Sequence, residues 1–485
     1  MIRTSSRVKV IIAIVILNSL LISAKSQPKS SAFEYKPLRE NGKINPGIKG
    51  YWKSIGNGYV LSCNNDSILL YSYTSHFCYK EKNDYIEELL NTQSRFVKHN
   101  DTVSIFLANY GIKTYDLQIK NDFIKIDKLP QNTLSFSEMQ QLSSKKLFEL
   151  FIETLKENYA FSKERNMNWV SIGNDYGNKI SDETAKAELF QILGQVVLLT
   201  KDHHTKIIAE NGETLQYRGT PAAEIVTSVF NKQTKVKNLN EYFNLFFETN
   251  YKNISDSLLH GKGNKSANKQ IEWGDLNDSI GYISIYSFTD FAPDGFSRKQ
   301  QIDSINNSMQ HIINTMKDKK AIIIDISFNF GGYDAAALSI AGFFTDKTTL
   351  AFTSQVYNNG TFYNESDVYV QPSEKIQYTK PVYVLMTDIS RSAAEGFAML
   401  MKSLPNVKLV GTNTMGILSG MLGKSIGDFY STSSNQRLLS PKGTYYEVSG
   451  VQPDIPITIF ARENVFEGHK EAVRKITEII KENKH

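Results

Sequence analysis

The chain has 485 residues, 41% hydrophobic and 22% charged, which is material for two or more domains with sizeable cores. The formal charge of +5 comes from 55 basic and 50 acidic residues scattered along the chain, which excludes the concentrated basic face that nucleic-acid binding needs. Two cysteines and eight mostly isolated histidines argue against a structural zinc site, and no metal or cofactor is expected.

Arg3, Arg7 and Lys9 precede an apolar run over residues 10–24, "VIIAIVILNSLLISA". A positive start before a short apolar run reads as a secretory signal peptide over residues 1–26, with a small-residue cleavage site near Ala24 to Ser26. Asn18 and Ser19 interrupt the run, which is short for a stable span. An uncleaved N-terminal anchor is the alternative, and it is the one membrane contact expected. No Cys follows the run, which argues against lipid attachment there. Either reading exports the chain, to the periplasm or the extracellular space. Cys63 and Cys78 then have two equal readings, a disulfide or two buried free thiols.

Residues 27–134 begin with a Lys-, Ser- and Pro-containing linker. From Gly50 to Pro130 short strand-like runs ("GYVLSC", "SILLYSY", "TVSIFLA") alternate with Gly, Asn and Asp, which predicts a small β-rich domain. Residues 135–215 are a helical segment, with Leu147, Phe148, Phe151, Ile152 and Leu155 at helical spacing. A second amphipathic helix, for which Ser181 or Asp182 is a suitable cap, ends in "KDHHT". Residues 216–274 are a polar connecting region. From 275 to 460 apolar strands alternate with helices, so the catalytic region is α/β with a largely parallel, helix-covered sheet. Residues 461–485 form a C-terminal helix.

In such sheets sites form at the C-terminal ends of strands. Ser392 follows the strand "PVYVLM" and opens a helix, "SAAEGFAML". One reading makes it an N-cap, with Glu395 completing a capping box. The other makes it a nucleophile, since a helix N-terminus favours developing negative charge. The amide of Ala393 would then face an oxyanion, and "NFGG", residues 329–332, would let backbone approach a substrate without a Cβ in the way. Only His203 and His204 lie in a compact polar motif; they read either as helix-end residues or as a base. Glu447 or Asp454, in "YYEVSGVQPDIPI", could orient that base.

These four segments together resemble the tail-specific (C-terminal processing) and tricorn-type serine peptidases. "LTKDHHT" resembles that family's Asp-Gly-His-Thr element, with His203 in the usual Gly place. "AIIIDISFNFGG" is similar to its strand with Asp and Gly-Gly. "VYVLMTDISRSAAEGFA" resembles its nucleophile turn, and "YYEVSGVQPDIPI" its closing Glu and Gly-Val-x-Pro-Asp. The resemblance implies a ClpP/crotonase-like α/β fold and metal-free hydrolysis of peptide bonds in a peptide or protein substrate. It implies Ser392 as nucleophile, His204 as general base because it directly precedes Thr205, and Glu447 as the group that orients it. Ala393 with Gly331 or Gly332 would supply the oxyanion amides. Two departures stand out. Many members place a catalytic Lys where this chain has Ile417, with Lys424 off register, so the His-dependent branch is implied. Residues 210–270 lack the carboxylate loop of a PDZ domain. A non-catalytic binding protein on the same fold is the rival reading; an acyl-CoA enzyme of the crotonase type fits an exported chain poorly.

Overall fold

A computed structural model describes residues 35–64, 67–82, 94–106, 118–230 and 236–482. The signal-peptide segment, residues 1–26, lies outside the described residues. Residues 1–36 and residues 37–485 are separate units, and the second carries the sheets and helices of the site. Among the described residues no helix is long and apolar enough to cross a membrane.

The N-terminal region is built around one antiparallel sheet. Its strands are β1 (Gly50–Ser54), β2 (Tyr59–Asn64), β3 (Ser67–Tyr73), β4 (Cys78–Lys80), β5 (Arg95–His99), β6 (Thr102–Phe106) and β7 (Lys120–Ile126). These seven of the sheet's eight strands run in the order β5-β6-β7-β1-β2-β3-β4, and a separate two-stranded sheet pairs Arg39–Glu40 with Lys43–Ile44. Alternation drives the assembly. In "SILLYSY" Ile68, Leu70 and Ser72 are buried and the residues between them are half-exposed. Cys63 and Cys78 are buried free thiols, so of the two readings the unpaired one holds.

The helical segment comprises α1 (Phe136–Gln140), α2 (Ser144–Asn158), α3 (Trp169–Gly177) and α4 (Lys186–Leu199). Leu147, Phe151 and Leu155 of α2 share a core with Leu189, Leu193 and Val196 of α4. Helix α4 starts later than its sequence signals. Ser181 Oγ accepts from Glu183 N at 3.2 Å within a preceding turn, and Ala185 takes the cap position without a side-chain bond. Two short strands follow, β8 (Lys206–Ile208) and β9 (Thr214–Gln216).

Residues 216–274 carry more order than their polarity implies. They contain α5 (Pro221–Phe230), α6 (Leu239–Lys252) and β10 (Asn264–Ser266), and the strand β11 (Ile271–Asn277). Tyr242 and Phe246, one turn apart on α6, are buried with Val226 of α5. Asn and Glu residues interleave with these aromatics and mask the helical period in the sequence.

The α/β region adds β12 (Ile280–Ile285), α7 (Arg298–Met316), β13 (Ala321–Asp325), α8 (Asp334–Ala341), β14 (Thr349–Asn358), β15 (Thr361–Val370), β16 (Val382–Met386), α9 (Ala393–Lys402), β17 (Val407–Gly411), β18 (Met421–Ile426), β19 (Phe429–Ser434), β20 (Gln436–Leu439), β21 (Ile455–Pro456) and α10 (Gly468–Glu482). A seven-stranded sheet runs β10-β11-β12-β13-β16-β17-β21, parallel from β12 to β21. Its central strands β12, β13 and β16 are buried throughout because both faces are covered. Ile322 and Ile324 of β13 face the core built with α7, α8 and α9, while Ala321 and Ile323 face the core built with α5, α6 and α10. Two smaller sheets, β9-β8-β19-β18 and β15-β14-β20, complete the unit.

Candidate active site

The turn between β16 and α9 is fixed before any side chain of the site is considered. Ser390 Oγ donates to Ile326 O at 2.7 Å and Thr387 Oγ1 to Ser327 O at 2.6 Å, tying the turn to the end of the neighbouring β13. Asp388 Oδ2 accepts from Ala222 N at 2.6 Å. The half-buried Ser392 follows with φ 56° and ψ −123°, a backbone conformation that disfavours any residue with a Cβ. Ser392 and Glu395 form the capping box that the sequence suggests, with Glu395 Oε2 accepting from Ser392 N at 3.1 Å.

The glycine turn lies directly against this serine. A Cβ on Gly331 would come within 2.8 Å of both Ser392 Cβ and Arg391 O, and within 3.1 Å of Ala393 N. Gly332, at φ 141°, has no more room: a Cβ there would lie 2.5 Å from the Phe288 carbonyl carbon. Gly331 N already donates to Asn329 Oδ1 at 2.8 Å. Among the described residues the N–H groups of Gly332 and Ala393 donate to no acceptor. Of the amides expected to face an oxyanion, those two are the ones available.

His203 and His204 are both buried at the end of the helical segment. His203 Nε2 lies 3.0 Å from Gly219 O, and its ring meets Tyr217 edge-on. His204 is held by its backbone: its N–H donates to Asp202 Oδ1 at 2.8 Å, and its carbonyl accepts from Thr432 Oγ1 at 2.6 Å. Burial pushes the His204 imidazole below the usual histidine range, against the pull of Asp202 and of the Ser419 backbone. His204 Nδ1 is buried with no partner, and among the described residues neither histidine hydrogen-bonds Ser392.

Glu447 joins this group. Its Oε2 accepts from Leu418 N at 2.7 Å and Ser419 N at 2.9 Å, and its Oε1 lies 3.7 Å from Arg165 Nη2. Burial and the neighbouring Asp202 push its carboxyl well above the usual range; Arg165 offsets only part of that. Glu447 and His204 thus both lie against the backbone of Ser419. Asp454, the other acid considered, is elsewhere: it accepts from Leu409 N at 2.9 Å and pairs with Lys402 at 2.8 Å.

Two participants escaped the sequence reading, and a third, Glu395, was expected only to complete a capping box. Asp202, quoted in "KDHHT", is fully buried and also accepts from Thr205 Oγ1 at 2.9 Å. Burial pushes its carboxyl up, but Arg165 and His204 outweigh this and hold it below the ordinary value. Arg165 donates to Lys201 O at 2.7 Å and to Thr200 O at 3.3 Å, bracing the loop before the histidines; no sequence signal pointed to it. Glu395 receives Thr414 Oγ1 and Gly416 N, each at 2.6 Å, and Ile417 N at 2.9 Å. Burial pushes its carboxyl up to about 7. Residues 414–419 therefore stitch the two halves together. Thr414, Gly416 and Ile417 bind the acid of the serine helix, and Leu418 and Ser419 bind Glu447. The Ile417 side chain is buried where the catalytic Lys was sought. Lys424 is turned away, its Nζ 2.6 Å from Gly58 O in the N-terminal sheet, and burial pushes it down to about 7.

A cavity of about 1070 Å3 opens at Ser392 and extends along β18 and β20 to the N-terminal sheet. Among the described residues no cluster of His, Cys, Asp and Glu has the arrangement of a metal site.

Residues 279–457 match the model of peptidase family S41, a span that holds Ser392, the glycine turn, Glu395 and Glu447. This span belongs to peptidase family S41. The carboxy-terminal processing protease CtpA of Bacillus subtilis is 25% identical over 288 residues, covering 57% of this chain and 58% of that protein. A Chlamydia muridarum protein is 25% identical over 115 residues, 23% of this chain and 19% of its own. The chain thus spans less than two thirds of the length of these relatives. A solved structure of a candidate peptidase from Parabacteroides merdae shares the fold with a TM-score of 0.56 at 23% identity, over 70% of this chain and 96% of that one. The histidine motif of residues 202–205 lies outside the matched S41 span.

Proposed function

We propose that this chain is a serine peptidase that cleaves peptide bonds through an acyl-enzyme on Ser392. The observation that carries the reading is the strained Ser392 backbone, which holds its side chain at a helix N-terminus beside two amides that donate to no acceptor among the described residues. Ser392 Oγ attacks the scissile carbonyl while His204 takes its proton. The oxyanion turns toward Ala393 N and Gly332 N. His204 then protonates the leaving amine, and water, deprotonated by His204, releases the acyl group and restores Ser392. Glu447 and Asp202 act on His204 without touching substrate, the first through the Ser419 peptide and the second by fixing its backbone. The hydrogen bond between Ser392 and His204 forms when substrate is bound, since catalytic contacts commonly tighten in the Michaelis complex. We also propose that the chain is exported, on the basic-then-apolar pattern of residues 1–26; the N-terminal sequence of the protein recovered from cells tests this.

The test of the peptidase reading is labelling of the full chain by a fluorophosphonate, with Ser392→Ala and His204→Ala alongside. Labelling lost in both variants supports it. No labelling of the folded parent would overturn it in favour of a peptide-binding protein on the same fold, a reading that Ile417 in the Lys position favours.

A further inference from the structure

We propose that the N-terminal β-sheet is the specificity wall of the Ser392 cavity, and that this cavity takes a peptide segment carrying apolar side chains. The proposal rests on the peptidase reading of Ser392 and gives a role to a region outside the matched S41 span.

The cavity is continuous from Ser392 to the sheet. Leu400 and Leu418 line it on the catalytic side; Leu61, Leu70, Ile105 and Phe123 line it on the sheet side. These four come from strands β2, β3, β6 and β7, two consecutive pairs that one sheet brings together. At about 1070 Å3 the space reaches the upper end of the range for a drug-sized ligand and suits several residues of a peptide rather than one side chain.

The sheet is held as a fixed wall, clamped on two sides. On one side Tyr59 OH donates to Gly423 O at 2.5 Å, Tyr79 OH to Ser425 O at 2.7 Å and Lys424 Nζ to Gly58 O at 2.6 Å. On the other, Asn364 Nδ2 donates to Ile55 O at 2.5 Å and Tyr369 N to Gln118 Oε1 at 2.6 Å. Of the charged residues that line the cavity, Glu81 is already held: it binds Ser72 and receives Ser425 Oγ at 2.6 Å. Lys82, Lys206, Glu210, Asp334 and Asp428 line it as well. Leu61, Leu70, Ile105 and Phe123 are the apolar surface that the wall offers a ligand, and burying it drives binding.

The experiment measures binding to full-length Ser392→Ala, which cannot turn over, by fluorescence anisotropy. The probes are a fluorescein-labelled decapeptide alternating Leu and Ala, and the same peptide with Ser for each Leu. The Leu peptide is expected to bind at least about tenfold tighter, and Leu70→Trp, which fills the cavity, to weaken it by about tenfold or more. Tyr71→Ala, on the opposite face of the same strand, is expected to leave binding unchanged. Thermal unfolding identifies folded variants. Should Leu70→Trp fail to fold, the half-buried Ile119→Trp, which also enters the cavity, carries the same expectation. Equal binding of the two peptides, or a folded cavity-filling variant that binds like its parent, overturns the wall. Failure of the fluorophosphonate to label native Ser392 would overturn the peptidase reading and leave this binding result standing by itself.

Discussion

The two halves of the site are built in opposite ways. The serine half is local: one strand, one turn and one helix place Ser392 and Ala393, and a neighbouring turn places Gly331 and Gly332 against them. It stores backbone strain and carries little charge. The histidine half draws on Arg165, Asp202, Ser419 and Glu447, from three distant segments, and its groups are buried and mutually dependent in charge. Residues 414–419 join the halves almost wholly through backbone amides. Short-range geometry can thus specify a nucleophile, whereas a base held by buried charges exists only after the chain has closed.

The largest effect expected separates chemistry from strain. Ser392→Ala is predicted to lower kcat by about 10^6-fold and Ser392→Gly likewise. Ser392→Gly should also raise stability by about 1 kcal/mol, because glycine accepts φ 56°; denaturant unfolding checks this, and a loss of stability would remove strain from the account. His204→Ala is predicted to cost about 10^3-fold or more in kcat/KM and His203→Ala less than about tenfold, since the His203 ring is engaged with Gly219 and Tyr217. If the order were reversed, the base would be the wrong histidine.

Glu395→Gln tests the stitch between the halves. Four donors converge on the two carboxylate oxygens, and an amide NH2 would face some of them, so a loss of about 3 kcal/mol is expected by urea unfolding. Glu447 gives a smaller, pH-dependent effect. Its carboxyl titrates well above its unfolded value of about 4.3, so its stabilising contribution is present below that pH and is lost as pH rises toward the folded value. Glu447→Gln keeps an acceptor for Leu418 N and Ser419 N without that loss. Its stability relative to the parent should therefore increase with pH above about 4.3, and a parallel pair of curves would argue against a raised carboxyl. The smallest effect concerns the base itself. Burial holds His204 below the usual range, so the acid limb of kcat/KM should fall below about pH 6.5. A limb above that value would mean the base titrates as an exposed histidine.

The sequence by itself determined the parts whose physics is short-range. Alternating apolar residues marked the N-terminal strands, continuous apolar runs marked the doubly covered parallel sheet, and a polar turn after "PVYVLM" placed Ser392 at a helix start. The glycines of "NFGG" were legible because only glycine tolerates that approach to the serine. Tertiary structure decided the rest. That Glu395 also binds the backbone of residues 416 and 417 depended on where that loop folded. The choice between Glu447 and Asp454 depended on which loop folded over Ser419. Arg165 carried no local pattern, since an arginine after a helix is ordinary until distant carboxylates are buried beside it. The wall of the cavity could not be read either, because its residues come from two consecutive strand pairs that meet only through sheet pairing, and long-range pairing leaves no period in the chain.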